Sequence, residues 1–159
     1  MHIYHVASGA PVVTILRTAK TPKGTEAATV MKHVTKRLRQ TTAWTNATII
    51  WRGDSHYGRP EAMDWCEANC CGFVFAFAGN SILDALVAEA AEHLAFWHAL
   101  SEAPKTRGYT EVEYQAKSWS RPRRVVARIE VSLQPDGKNG PRQEADIRYV
   151  VTSLTGRPE

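Results

Sequence analysis

Trp51-Arg52-Gly53-Asp54-Ser55-His56-Tyr57-Gly58-Arg59-Pro60, preceded by Ala47-Thr48-Ile49-Ile50, decides the reading of this chain. Residues 47–51 are nearly all apolar, as a strand buried on both faces should be, and Asp54 follows just past its end. An α/β sheet keeps its chemistry at the carboxyl ends of its strands, so Asp54 is the first candidate for a functional side chain. Pro60 then suits the first turn of a helix, with Glu61 and Asp64 near its positive end and Ala62, Met63, Trp65 and Cys66 available for a core. Asn69 to Gly72 closes that helix. No Asp precedes Asp54, and the only earlier acid is Glu26, inside a predicted helix. If Asp54 belongs to a metal-binding carboxylate cluster, the chain carries only part of it.

Upstream, residues 2–6 and 11–16 are β-rich runs joined by Ala7-Ser8-Gly9-Ala10, which predicts a hairpin, expected beside the strand that carries Asp54. Thr21-Pro22-Lys23-Gly24-Thr25 reads as a turn, with Thr25 capping a helix in which Ala27, Val30, Met31, Val34 and Leu38 recur at helical spacing. Its other face, with Lys32, Lys36, Arg37 and Arg39, reads as a solvated surface. Downstream, residues 73–77 form a second short buried strand, and Asn80 or Ser81 starts a long helix carrying Ile82, Leu83, Leu86, Val87, Ala90, Leu94 and Trp97. From Tyr109 the pattern turns to strands, at 111–118, 124–133 and 147–154, with a polar loop from Gln134 to Pro141 between the last two. The second half therefore reads as an antiparallel sheet appended to an α/β core. The expected organisation is a core over residues 1–80 and a helical and β-rich insertion over residues 81–159.

At 159 residues and 43% hydrophobic, the chain can bury one ordinary core. Twenty Lys and Arg against 16 Asp and Glu, a net charge of +4, are compatible with a polyanionic partner without requiring one. Cys66, Cys70 and Cys71 are an odd number in one short segment, which argues for reduced thiols rather than a disulfide framework. With His56 they lack the two separated ligand pairs of a structural zinc site. The longest apolar stretch is too short to span a bilayer and no signal peptide is recognisable, so a soluble, intracellular protein is expected.

The run 51–61, its continuation Met63-Asp64-Trp65-Cys66-Glu67-Ala68-Asn69, and Phe73-Val74-Phe75-Ala76-Phe77-Ala78-Gly79-Asn80 closely resemble bacterial insertion-sequence transposases with the group-1 DDE domain. Tyr114-Gln115-Ala116-Lys117-Ser118-Trp119, Arg123 to Glu130, and Tyr149-Val150-Val151-Thr152-Ser153-Leu154 resemble that family's later blocks. The resemblance implies a partial ribonuclease-H-like core, lacking its first strand and last catalytic helix. It implies cutting and rejoining of DNA at transposon ends by two Asp and one Glu holding two Mg²⁺ or Mn²⁺ ions. Hard cations need oxygen ligands, and a pair roughly 3.5–4 Å apart can stabilise both the entering and leaving oxygens. Asp54 matches the second acid, as catalytic residue and metal ligand; the first and third fall outside these 159 residues. The chain alone is therefore expected to hold no ion tightly and to be inactive. The implied partners are DNA at the transposon ends and target, with a homo-oligomer left open and no membrane, in a bacterial cytoplasm at the nucleoid.

Each site residue also has a plainer explanation. Asp54 can cap its own turn, and His56 is a weak candidate for a metal or base role against that of a surface residue. Arg52 and Arg59 can neutralise DNA phosphates or pair with Glu61 or Asp64. Trp119, Arg121, Arg123 and Arg124 form the most basic aromatic patch, suited to DNA phosphates and an unpaired base, or to the defence of an edge strand by charge. For the whole chain, the alternatives to a transposase fragment are a non-catalytic remnant that binds DNA or an intact transposase, and an unrelated ribonuclease-H-like nuclease.

Overall fold

Alternation of inward and outward residues in the second half builds the larger part of the molecule. The computed structural model describes residues 1–16, 26–134 and 142–157. In it β5 (Lys105–Tyr114), β6 (Arg123–Gln134) and β7 (Arg142–Thr152) form an antiparallel meander. Val125, Ala127, Ile129 and Val131 of β6 are buried on one face, as alternation at strand period requires. The expected strand at 111–118 starts earlier, at Lys105, because Thr106, Gly108 and Thr110 continue the inward set. Gly108 is needed there: a Cβ would stand 3.1 Å from Leu94 Cδ1.

This meander is not an appended sheet. β7 pairs antiparallel with β4 (Gly72–Phe77), from Val74 opposite Thr152 to Phe77 opposite Tyr149, and β4 pairs parallel with β3 (Ile50–Gly53). One five-stranded sheet, ordered β3-β4-β7-β6-β5, thus crosses residue 80. β3 begins at Ile50 rather than at residue 47 and is an edge strand, with Ile50 49% exposed. Its apolar composition signalled burial on both faces, but the helices cover only one.

That covered face holds the core. α2 (Pro60–Ala68) buries Ala62, Met63 and Cys66 there. Burial pushes the Cys66 thiol up to about 12. α2 ends in a Schellman turn, with the Cys71 N–H donating to Cys66 O at 2.9 Å and Cys70 at φ +52°. α3 (Ser81–Ala99) is capped by Asn80, whose Oδ1 accepts from the N–H groups of Ile82 and Leu83 at 3.1 Å each. It buries Leu83, Val87 and His98, and the His98 Nδ1 lies 2.8 Å from Thr106 Oγ1 on β5. α1 (Ala27–Arg39) packs on α2 through Ala27 and Met31. The expected cap Thr25, the turn before it and the loop residues 135–141 lie outside the described residues. Among those described, no helix is long and apolar enough to cross a membrane.

The N-terminal hairpin is β1 (His2–Tyr4) with β2 (Pro11–Thr14), turning at Gly9 with φ +68°. It forms a sheet of its own and does not lie beside β3 as expected. An isolated two-stranded hairpin is marginal in water, and this one leaves Tyr4, Val6, Val12 and Leu16 exposed.

Candidate active site

Asp54 is the first residue beyond β3, at the C-terminal end of the parallel β3 and β4 pair. Two glycines fold its loop back onto β4. A Cβ on Gly53 would stand 3.1 Å from Tyr57 Cβ, and one on Gly58 would stand 3.1 Å from Phe75 Cβ. The loop closes with Tyr57 N–H on Asp54 O at 3.1 Å and Arg59 N–H on Tyr57 O at 2.8 Å, which delivers Pro60 to the start of α2.

The Asp54 carboxylate caps this turn, its Oδ1 accepting from the His56 N–H at 2.9 Å. The His56 ring approaches the same oxygen, Nδ1 to Oδ1 3.3 Å, and the two side chains are 62% and 48% exposed. Oδ2 has no hydrogen bond among the described residues. The capping and functional readings of Asp54 are therefore compatible: one oxygen fixes the turn and the other is available. Arg52 and Arg59 are exposed on either side of the loop, and neither pairs with Glu61 or Asp64.

The basic aromatic patch expected around residue 120 is assembled differently. Trp119 is only 5% exposed and packs against Phe77 and Tyr114, with ring centroids 5.1 and 5.6 Å away. The guanidinium of Arg123 stacks on it at 5.5 Å, with its side chain 2% exposed. Arg123 is clamped to α2, Nη2 to Asp64 Oδ1 at 2.6 Å and Nε to Glu67 Oε1 at 2.7 Å. The Ser120 hydroxyl first, then Arg123, holds the Asp64 carboxyl below its ordinary range. Arg124 binds Glu111 and the carbonyls of Leu154 and Gly156 at 2.8 and 2.6 Å, tying the C-terminal segment to the sheet. Trp119 has no face open to a base, because its ring is packed among Phe77, Tyr114 and the Arg123 guanidinium. The edge-defence reading fails as well, because β6 lies inside the sheet. Of the four, Arg121 alone is well exposed, at 64%, 3.5 Å from Glu67. Asp64 and Glu67, one helical turn apart, were the signal of a partner for an arginine.

Sequence reasoning also missed Tyr149, whose hydroxyl donates to Asp84 Oδ1 at 2.7 Å and joins β7 to the first turn of α3. Burial, with Asp84 beside it, raises the phenol well above its ordinary pKa. Tyr149 belongs to a structural tie rather than to the Asp54 corner.

The metal donors gathered at that corner are Asp54 and His56, and among the described residues no three His, Cys, Asp or Glu side chains converge. One carboxylate and one imidazole do not fit a pair of hard divalent ions, which need several oxygen ligands each. No curated protein and no solved structure matches the chain significantly. The family model of the transposase DDE domain group 1 matches residues 1–159, the whole sequence, including β3 and the Asp54 that follows it. The chain belongs to the transposase DDE domain group 1 family, whose members cut and transfer DNA.

Proposed function

We propose that this chain is the central part of a DNA-cutting and rejoining domain with a partial ribonuclease-H-like core, and that Asp54 is its contribution to catalysis. The observation that carries the reading is the position of Asp54: past the end of a strand in a parallel pair, one carboxylate oxygen held by the turn and the other uncommitted. The remaining acids come from residues outside the chain. The open outer edge of β3 supports this, because a further strand paired there would set its own carboxylate beside Asp54. Divalent ions would supply charge neutralisation at the reacting phosphate once those acids are present. In this chain, His56 fixes the Asp54 carboxylate through its N–H, while Arg52 and Arg59 sit where DNA phosphates approach the loop.

The test is incubation of supercoiled plasmid with the chain and Mg²⁺ or Mn²⁺. No nicking is expected, because Mg²⁺ dehydrates reluctantly and a lone carboxylate compensates little. Metal-dependent nicking that disappears in Asp54→Ala would overturn the incomplete site and place all the acids within the chain or a second copy of it. A second reading, a non-catalytic module that only binds DNA or an intact transposase, is favoured by the high exposure of Asp54. In-frame codons on either side supplying the other Asp and the Glu would decide against it.

A further inference from the structure

Among the described residues, α2 and α3 pack on one face of the five-stranded sheet, with α1 joining the same core through α2, and no helix covers the other face. On this open face Tyr109, Arg128 and Arg148 stand in one register row across β5, β6 and β7. Like charges directly opposite one another on neighbouring strands destabilise a sheet, so the arginine pair departs from what folding alone favours. Arginines beside this row have carboxylate partners: Arg107 holds Glu130 at 2.7 Å, Arg124 holds Glu111, and Arg148 places Nε 2.9 Å from Asp146 Oδ2, whereas Arg52, at the far edge of the face on β3, has none among the described residues. Arg128 has no ion pair among the described residues, and its Nε is buried without a hydrogen-bond partner. An unmet charged donor is expensive to leave, and no acid among the described residues meets it.

We propose that Arg128 and Arg148, with Tyr109 beside them, form a phosphodiester-binding site through which the helix-free face of the sheet holds the backbone of duplex DNA. The inference rests on the reading of the chain as a DNA-acting protein, and places a contact surface away from the Asp54 loop. Cβ atoms of directly opposed residues lie about 5 Å apart, so two guanidiniums can grip one phosphate from both sides, each with two donors. Arg148 keeps its Nη groups for this while Nε stays on Asp146, and Glu130 is already neutralised by Lys105 and Arg107.

The experiment is titration of a fluorescent DNA duplex with the chain and with Arg128→Gln/Arg148→Gln over a range of salt, together with thermal unfolding of both. The double variant should bind more weakly, with the slope of log K against log salt reduced by about 0.9, since the pair grips a single phosphate. Its melting temperature should hold or rise, since a like-charge pair has been removed. Arg128→Lys/Arg148→Lys should retain most of the slope. Unchanged affinity and slope in the glutamine variant would overturn the site while leaving the DNA-acting reading intact. Absence of binding by the unaltered chain would overturn both. Weaker binding with a lower melting temperature, not rescued by lysine, would assign the pair a structural role and also overturn the proposal.

Discussion

The corner at Asp54 and the clamp at Arg123 are both built from charged residues near α2, and they have opposite characters. At the clamp, Asp64 and Glu67 are both bound by Arg123, which stacks on Trp119, and the guanidinium is almost wholly enclosed, with only its Nη1 lacking a hydrogen-bond partner. At the corner, Asp54 is mostly exposed, one of its oxygens is unengaged, and Arg52 and Arg59 have no carboxylate partner among the described residues. Closed charge networks hold elements together, whereas unclosed ones are where an external ligand finds work. The comparison teaches that a basic aromatic stretch is a nucleic-acid surface only if its charges are not already spent inside the molecule.

The sharpest way to break this comparison is to remove the clamp. Trp119→Ala should cost about 4 kcal/mol, as expected for an aromatic deleted from a packed core. Arg123→Ala should cost about 3 kcal/mol, because Asp64 and Glu67 lose their partner while partly enclosed. Arg121→Ala, at an exposed position, should stay within about 0.5 kcal/mol. Urea denaturation measures all three. A Trp119→Ala chain of unaltered stability but diminished DNA binding would reverse the roles assigned to the two regions.

The corner should answer in the opposite way. Asp54→Ala loses one turn hydrogen bond, a change of about 1 kcal/mol or less, and the same denaturation should show a fold otherwise intact. A loss comparable to that of Trp119→Ala would make Asp54 a structural residue and remove the contrast.

How much of this was legible in the sequence depends on the range of the interaction concerned. Pro60 at the start of α2, Asn80 as the cap of α3 and Asp54 after its strand were readable because caps and strand ends are set by neighbours within a few residues. The sheet order was not. β7 reaches β4 across more than seventy residues, and nothing local to either distinguishes a central strand of one sheet from an edge of two. The apolar run ending at Trp51 signals burial, but whether a strand is covered on one face or two is decided by helix placement, which composition does not carry. Arg123 was misread for the same reason: its partners lie 56 and 59 residues away.

Acid should probe a third charge set, between those extremes in enclosure. Lys105 and Arg107 hold the Glu130 carboxyl at about 2, against an ordinary 4.5. A carboxyl with a depressed folded-state pKa contributes stability that is present above its ordinary value and lost as pH falls toward the folded one. Unfolding midpoints should therefore decline from pH 4.5 toward pH 2, and Glu130→Gln should flatten part of that decline while lowering stability at neutral pH. A variant with the parent's full acid slope would show that these exposed bridges contribute nothing measurable, as many surface pairs do not.

The smallest effect concerns strain, which often collects at functional loops. Here the Asp54 loop has no non-glycine residue at positive φ, and among the described residues Cys70 alone does, at φ +52° where α2 ends. That position of a Schellman turn favours glycine because a Cβ crowds the left-handed backbone. Cys70→Gly relieves the crowding but gives the unfolded chain more freedom, so the two effects oppose and the net gain should be about 0.5 kcal/mol. Cys70→Ala, which keeps the Cβ and removes the thiol, should leave stability unchanged and so isolates the backbone term. Both variants should bind DNA as the parent does, since the exposed Cys70 belongs to the structural end of α2 rather than to the Asp54 corner. Altered DNA affinity in Cys70→Gly, with stability raised as expected, would show that the end of α2 and the Asp54 loop communicate, and that the two regions are not separable in the way their charge networks imply.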